Sequence, residues 1–181
     1  MPTYTYSLKY GLPLSEQHYT AIGEVAATWQ YVELAVQYAI WAILGLSSEQ
    51  GRLATASLRF DTHLDILKVL AAQAEPNPKE LLGLITETKA VQDQRNTVIH
   101  GLWQWDDTTV NALRRLTHIR AARLRMKDAQ KPHPTFTPEQ VRKIAQTAND
   151  LTVRWADFAA ARPASQQKPE QQDPPPTTRP N

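Results

Sequence analysis

Hydrophobic side chains recur at helical spacing along most of this chain, and the first such stretch runs from Glu16 to Leu44. At about 100° per residue, one narrow stripe of this stretch collects Ile22, Trp29, Val36 and Ile40. A second side of the same predicted helix carries Leu34, Tyr38 and Trp41. A helix that is apolar on more than one side is either central to the fold or shared with a second subunit.

Two further helical stretches follow the first. The second runs from about Glu49 to about Ala72 and aligns Leu53, Phe60, Leu64, Leu67 and Ala71 on one side. It ends before Glu75-Pro76-Asn77-Pro78, a run that breaks helices. The third extends from about Pro78 to His100, and we expect Gly101, just beyond it, to form a left-handed C-terminal cap.

The last helix is announced by its capping residues. Thr137 can cap it, Pro138 fits its first turn, and Gln140 can complete a capping box. Between Trp103 and Phe136 the pattern is ambiguous, because Arg123 to Lys127 alternates like an exposed strand whereas Leu113, Leu116 and Ile119 have helical spacing. A short hairpin and a basic helix both remain open for this insert. The expected fold is all-α, an up-down antiparallel helical bundle of four to five helices, with a short β-hairpin or irregular insert before the last helix.

Composition divides the 181 residues into three parts. Residues 1–14 form an N-terminal extension, residues 15–161 form the helical domain, and residues 162–181 form a Pro-rich tail. The tail holds six of the 13 prolines and no large apolar side chain. We expect the tail to be disordered, because it cannot bury enough surface to offset its ordering entropy.

Several classes of protein are excluded or disfavoured. The chain has no cysteine, so disulfides and thiolate chemistry are excluded. Its start lacks a signal-peptide pattern, and the apolar run from Leu34 to Leu46 is too short to span a bilayer, so we expect a cytoplasmic protein without a membrane partner. The remaining histidines show no metal-ligand spacing, and no Gly-rich phosphate loop occurs. We therefore expect no metal and no cofactor.

The net charge of +2 does not by itself indicate a nucleic-acid partner, but the charge is unevenly distributed. Between Ala112 and Lys127 the chain has no acidic residue. The basic side chains of this stretch are Arg114, Arg115, Arg120, Arg123, Arg125 and Lys127. Such a run can attract a polyanion, and it can equally be a solvated basic surface.

The third predicted helix ends in the residues most suggestive of chemistry. Arg95 carries a guanidinium, which holds a phosphate with a planar fork of donors, and His100 carries an imidazole, a side chain that exchanges protons near neutral pH. On an ideal helix two positions five apart diverge by about 140°, whereas Asn96 and His100, four apart, share a side. Either the helix end is distorted or a second copy of the chain completes the site.

Glu33 lies in the apolar stripe of the first predicted helix, close in phase to Trp29 and Val36. A carboxylate buried there needs a partner, because an unpaired charge is costly to remove from water. Arg95 is the candidate for that partner.

The run from Arg95 and Asn96 to His100 and Gly101, after a first helix bearing Trp29 and Glu33, resembles the HEPN superfamily of small α-helical domains. That signature places an arginine and a histidine four to six residues apart, often with an asparagine after the arginine. The likeness covers about residues 15–160 in helix order and motif position and leaves out the insert and the tail.

The resemblance implies a dimeric, metal-independent endoribonuclease, often a toxin or an antiviral defence effector, with RNA as substrate and a cognate antitoxin or regulatory protein as a further partner. In that reading His100 is the general acid/base, Arg95 binds the scissile phosphate, Asn96 orients one of them and Glu33 fixes Arg95 or His100. The basic residues 114–127 would grip RNA, and Trp103 would stack on a base or else cover the end of the bundle. Other members of the superfamily are non-catalytic modules that bind a protein or nucleic-acid partner, and this alternative stays open.

Overall fold

The computed structural model describes residues 14–73, 78–105, 113–116 and 135–162, with backbone alone for 102–105 and 113–116. Within these ranges the chain forms five helices: α1 (Glu16–Leu44), α2 (Ser48–Thr55), α3 (Phe60–Gln73), α4 (Pro78–Ile99) and α5 (Pro138–Ala160). The expected all-α bundle is confirmed. The predicted N-terminal extension and Pro-rich tail lie almost entirely outside the described residues.

The core of the bundle lies mainly between α1 and α5, whose contact is the most extensive between any two helices described. Both helices bury residues at spacings of three and four, and these buried sets include Ala21, Val25, Trp29, Val32 and Val36 from α1 and Val141, Ala148, Leu151, Trp155 and Phe158 from α5. Burying such side chains contributes about 1.5–3 kcal/mol each for the large aliphatic ones. Helices α3 and α4 pack on each other and on α1, and α4 also packs on α5.

The second predicted helix is wrong as a single element. It is divided into α2 and α3 by residues 56–59, and Leu53, predicted to be aligned with the core, is 81% exposed. The backbone carbonyl of Arg59 accepts hydrogen bonds from the N–H groups of Thr62 (2.9 Å) and His63 (3.3 Å), so a new helix starts there. The break turns the apolar side of α3, with Leu64 and Leu67, into the core independently of α2.

The second apolar side of α1 is only partly buried. Trp41 is buried, and its indole N–H donates to Thr55 Oγ1 of α2 at 3.1 Å. Leu34 and Tyr38 are instead 40% and 46% exposed. No helix among the described residues is by itself long and apolar enough to cross a membrane, and α1 with α2 passes that test of length and composition only as a pair bent by 116°.

The ambiguous insert begins as a hairpin. Strands β1 (Leu102–Trp105) and β2 (Leu113–Leu116) pair antiparallel, with Trp103 opposite Arg115, and β2 pairs antiparallel with β3 (Thr135–Phe136). The helical interpretation of Leu113 and Leu116 is therefore wrong. The stretch from Arg123 to Lys127 lies outside the described residues.

The helix caps were predicted with mixed success. The capping box of α5 is confirmed, because Thr137 N–H donates to Gln140 Oε1 (2.8 Å) and Gln140 N–H to Thr137 Oγ1 (3.3 Å). The left-handed cap expected at Gly101 is wrong: among the described glycines the positive φ belongs to Gly45, which caps α1 with φ 65°. Gly101 leads directly into β1, and α4 ends without a left-handed glycine.

Replacing Gly51 by alanine should destabilise the protein. Gly51 is buried in α2, and a Cβ there would overlap the indole ring of Trp41. Overpacking of this kind costs about 1–3 kcal/mol. Gly23→Ala is the matched control, because a Cβ at Gly23 of α1 meets nothing within 4 Å, and we expect it to raise stability by about 0.5–1 kcal/mol. Urea denaturation of the two variants measures both changes, and equal stability in the two variants would contradict the close packing of α2 on Trp41.

Stability should also fall in mild acid because of His18. This side chain is buried at the start of α1, with Nδ1 2.7 Å from Ser15 Oγ. Burial lowers the pKa of His18 more than a hydrogen bond with the Phe136 backbone and the charge of Glu139 raise it. Since the unfolded chain then binds the proton more readily, the free energy of unfolding decreases as pH falls below the ordinary value of 6.5. One such group contributes at most about 1.4 kcal/mol per pH unit. Between neutral pH and pH 5, the free energy of unfolding should change less with pH for His18→Gln than for the unchanged protein. An equal pH dependence in the two proteins would rule out this role of His18.

Candidate functional site

His100 is the first residue beyond α4, and its position answers the geometric question raised by the sequence. Its N–H still donates to the Asn96 carbonyl at 3.1 Å, so the backbone follows the helix for one more residue. Its side-chain Nε2 lies 3.3 Å from Arg95 Nη1. Guanidinium and imidazole are thus in contact within a single chain.

The contacts that orient the Arg95 guanidinium among the described residues are made by its Nη1 atom. Nη1 donates to Asn96 Oδ1 at 3.0 Å and faces His100 Nε2. Nε is buried and has no hydrogen-bond partner among the described residues. Nε and Nη2 form the other edge of the planar group, the fork that binds phosphate through two parallel hydrogen bonds. A buried donor without a partner costs about 1–3 kcal/mol, so the structure holds this guanidinium at some expense of stability.

The contact with Arg95 fits one tautomer of the imidazole. A guanidinium only donates hydrogen bonds, so a hydrogen bond across this contact requires Nε2 of His100 as the acceptor, with the ring proton on Nδ1. In this tautomer Nε2 carries the lone pair. A substrate hydroxyl that displaces the arginine contact would meet a nitrogen able to accept its proton.

Arg95 and His100 border an open cleft with a volume of about 460 Å³. The end of α4, the middle of α1 and the first residues of α3 surround it, and its lining residues are Trp29, Glu33, Arg59, Phe60, Asp61, Gln92, Arg95, Asn96, Thr97 and His100. The side chain of His100 is exposed and that of Arg95 is half-buried. The pair is therefore fixed by protein on one side and accessible to a ligand on the other.

Glu33 lies in this cleft, but the ion pair expected between Glu33 and Arg95 is not formed among the described residues. Its Oε1 instead accepts a hydrogen bond of 2.7 Å from the indole Nε1 of Trp29, four residues earlier on α1. The carboxylate is half-buried rather than fully enclosed, and the indole N–H of Trp29 is the partner where the sequence had suggested arginine. Glu33 thus faces the pair across the cleft without holding it.

The second carboxylate of the cleft is already paired. Lys89 Nζ donates to Asp61 Oδ1 at 3.0 Å and to Gln92 Oε1 at 2.8 Å. The hydrogen bond from Lys89, followed by one from Gln92, lowers the pKa of Asp61, and the same contact with Asp61 raises the pKa of Lys89. Asp61 is thereby kept ionised and is paired with Lys89, so among the described residues neither Arg59 nor Arg95 is its ion-pair partner.

No family model, no curated protein and no solved structure matches this chain.

Sequence reasoning missed the side of the cleft formed by Arg59, Phe60 and Asp61. It placed them inside one continuous helix, where they would have had no reason to approach the end of α4. No glycine or proline marks residues 56–59, the usual signal for such a break. Gln92 and Thr97 were missed because polar residues on a helix carry no distinctive spacing.

The predicted RNA-binding residues are only partly placed. Trp103, Arg114 and Arg115 lie in β1 and β2, of which the backbone is described. Arg120, Arg123, Arg125 and Lys127 lie outside the described residues. Within the described part of the chain no three His, Asp or Glu side chains come together in a way that could hold a metal ion.

Proposed function

We propose that this chain is a HEPN-type endoribonuclease that cleaves RNA without a metal ion, by attack of a ribose 2′-hydroxyl on the adjacent phosphate. The observation that carries the proposal is the 3.3 Å contact between Arg95 Nη1 and His100 Nε2 at the edge of an open cleft. It places a phosphate-binding group beside a proton acceptor, the pair of functions that this reaction needs.

In the proposed reaction His100 Nε2 takes the proton of the 2′-hydroxyl, and the 2′-oxygen forms a bond to phosphorus. The bond between phosphorus and the 5′-oxygen breaks, and a proton from the imidazolium or from water completes the new 5′-hydroxyl. Arg95, which lines the cleft, binds the scissile phosphate and stabilises the charge that develops on its oxygens. The products are a 2′,3′-cyclic phosphate and a 5′-hydroxyl.

The other candidate residues support this chemistry. Asn96 holds the guanidinium through its 3.0 Å hydrogen bond and so acts as a positioning residue. Glu33 orients the Trp29 indole at the wall of the cleft. In the proposal, the basic residues 114–127 grip RNA, a homodimer is the working form, and a cognate antitoxin or regulatory protein restrains a toxin or defence effector.

The test is cleavage of RNA by purified protein in the presence of EDTA. We expect fragments that end in a 2′,3′-cyclic phosphate and begin with a 5′-hydroxyl, which end-specific enzymes distinguish from the products of metal-dependent nucleases. Expression of the chain should slow cell growth, and His100→Ala should relieve that effect. Intact RNA after incubation with folded protein would reject the nuclease and favour a non-catalytic module of the same fold that binds a protein or nucleic-acid partner.

A further inference from the structure

The cleft has a second cationic side that the proposed reaction does not use. Arg59 lies between α2 and α3 and lines the same cleft as Arg95 and His100. Its backbone is anchored, because its carbonyl accepts hydrogen bonds from Thr62 and His63 at the first turn of α3. Its side chain is exposed. Because the backbone of Arg59 is already fixed, a ligand that binds the exposed guanidinium does not have to order this part of the chain first.

The guanidinium of Arg59 makes no hydrogen bond or ion pair with any residue that the structure describes. The nearest acid along the chain, Asp61, is held by Lys89 at 3.0 Å. Arg59 thus has no direct ion pair among the described residues, although its charge helps to lower the pKa of Asp61. The cleft also holds the carboxylate of Glu33, so its charge is mixed, and a ligand with more than one phosphate would bind at the separate guanidiniums of Arg59 and Arg95.

Phe60, the next residue, lines the cleft with an aromatic ring whose orientation is set by packing. Its ring centroid lies 5.1 Å from that of Trp29 at an interplanar angle of 71°, and 6.4 Å from that of His63 at 86°. The ring is half-buried, so part of its surface remains toward the cleft. A guanidinium beside a fixed aromatic ring is the combination that binds a phosphate and an unstacked base of a single strand.

We propose that Arg59 and Phe60 form a subsite for the nucleotide next to the cleavage point, with Arg59 binding the adjacent phosphate and Phe60 stacking on the base. This inference rests on the proposed function and names its substrate: single-stranded RNA carrying a phosphate beyond the scissile one. An RNA duplex keeps its bases stacked on each other and cannot offer one to Phe60.

Binding of a non-cleavable strand tests the subsite apart from the chemistry. The probe is a short single-stranded 2′-O-methyl RNA with a fluorescent label, because the methyl group blocks attack by the 2′-oxygen. We expect Arg59→Ala and Phe60→Leu each to weaken its binding about tenfold in an anisotropy titration. Arg59→Ala should also reduce the slope of log Kd against log salt by about 0.7, the value for one phosphate contact with a single strand.

Arg52→Ala is the matched control. Arg52 is an exposed arginine on α2, seven residues earlier, and does not line the cleft. It should bind the probe as the unchanged protein does. Arg59→Lys keeps the charge without the planar fork, so its loss should lie between those of the control and Arg59→Ala. In a cleavage assay, Arg59→Ala should slow the cleavage of an oligonucleotide more than that of a dinucleoside monophosphate, which has only the scissile phosphate.

The outcomes separate the two proposals. RNA cleavage with equal probe binding by Arg59→Ala and Arg52→Ala leaves the nuclease standing and overturns the subsite. Absence of cleavage, with the expected losses in probe binding, overturns the nuclease and supports the subsite as a single-strand binding surface. No binding of the probe by the unchanged protein also overturns the subsite. Thermal denaturation of each variant establishes that a loss does not come from unfolding.

Discussion

Replacing His100 by alanine should lower the rate of RNA cleavage by about 10²–10⁴-fold, the contribution of a general acid or base. The fold should survive, because the side chain is exposed and its hydrogen-bond contact among the described residues is with Arg95. Exposed side chains of this kind change stability by no more than about 0.5 kcal/mol when replaced. Initial rates on a labelled RNA, with thermal denaturation in parallel, measure both effects.

Variants of Arg95 test the other partner of the contact with His100. Arg95→Ala should cost about 10²–10³-fold, as the loss of one transition-state donor does. Arg95→Lys should recover little of this, since a lysine keeps the charge but lacks the planar set of donors of a guanidinium. If the two residues act on one phosphate, the double variant should be hardly slower than the slower single variant. Full activity in His100→Ala would remove the basis for the proposed mechanism, and Arg52→Ala serves as the neutral control.

The helices that carry the site were predictable because their signals are strong and local. The periodic apolar residues of α1, the break before Pro78 and the Thr137 capping box each depend on neighbours within a few positions. The break before Arg59 depends instead on tertiary packing, since α2 turns onto Trp41 through Gly51 and α3 turns its own apolar side to the core. Local helix propensity therefore does not predict this break.

The candidate site shows the same division. The motif Arg95 to His100 was visible in the sequence, but their contact was not, because an ideal helix separates two positions five apart. In the structure the two side chains nonetheless meet, with 3.3 Å between Arg95 Nη1 and His100 Nε2. The partner of Glu33 was mistaken for a related reason: helical phase tells which side of α1 the carboxylate occupies, and does not tell that Trp29 reaches it first.

The largest effect on stability is expected at Trp155, which joins the helix carrying the site to the rest of the core. Trp155 is fully buried on α5, packs edge-on against Phe158 with centroids 5.8 Å apart, and donates through Nε1 to Thr88 Oγ1 of α4 at 2.8 Å. Trp155→Ala should reduce the free energy of unfolding by about 3–5 kcal/mol, from the lost burial and the cavity. Since a domain of this kind has about 5–15 kcal/mol in all, this variant approaches the limit of folding.

The hydrogen bond between Trp155 and Thr88 can be tested without a cavity. Thr88→Val keeps the shape but leaves the buried indole N–H without its acceptor, which should cost about 1–3 kcal/mol in urea denaturation. Thr147→Val is the control, because Thr147 is exposed on α5 and its hydroxyl donates to the Lys143 carbonyl of its own helix. Trp155→Phe together with Thr88→Val should cost less than the sum of the single changes, since the two share one interaction. Additive losses would mean that burial alone, and not this bond, fixes α4 against α5 and with it the position of Arg95 and His100.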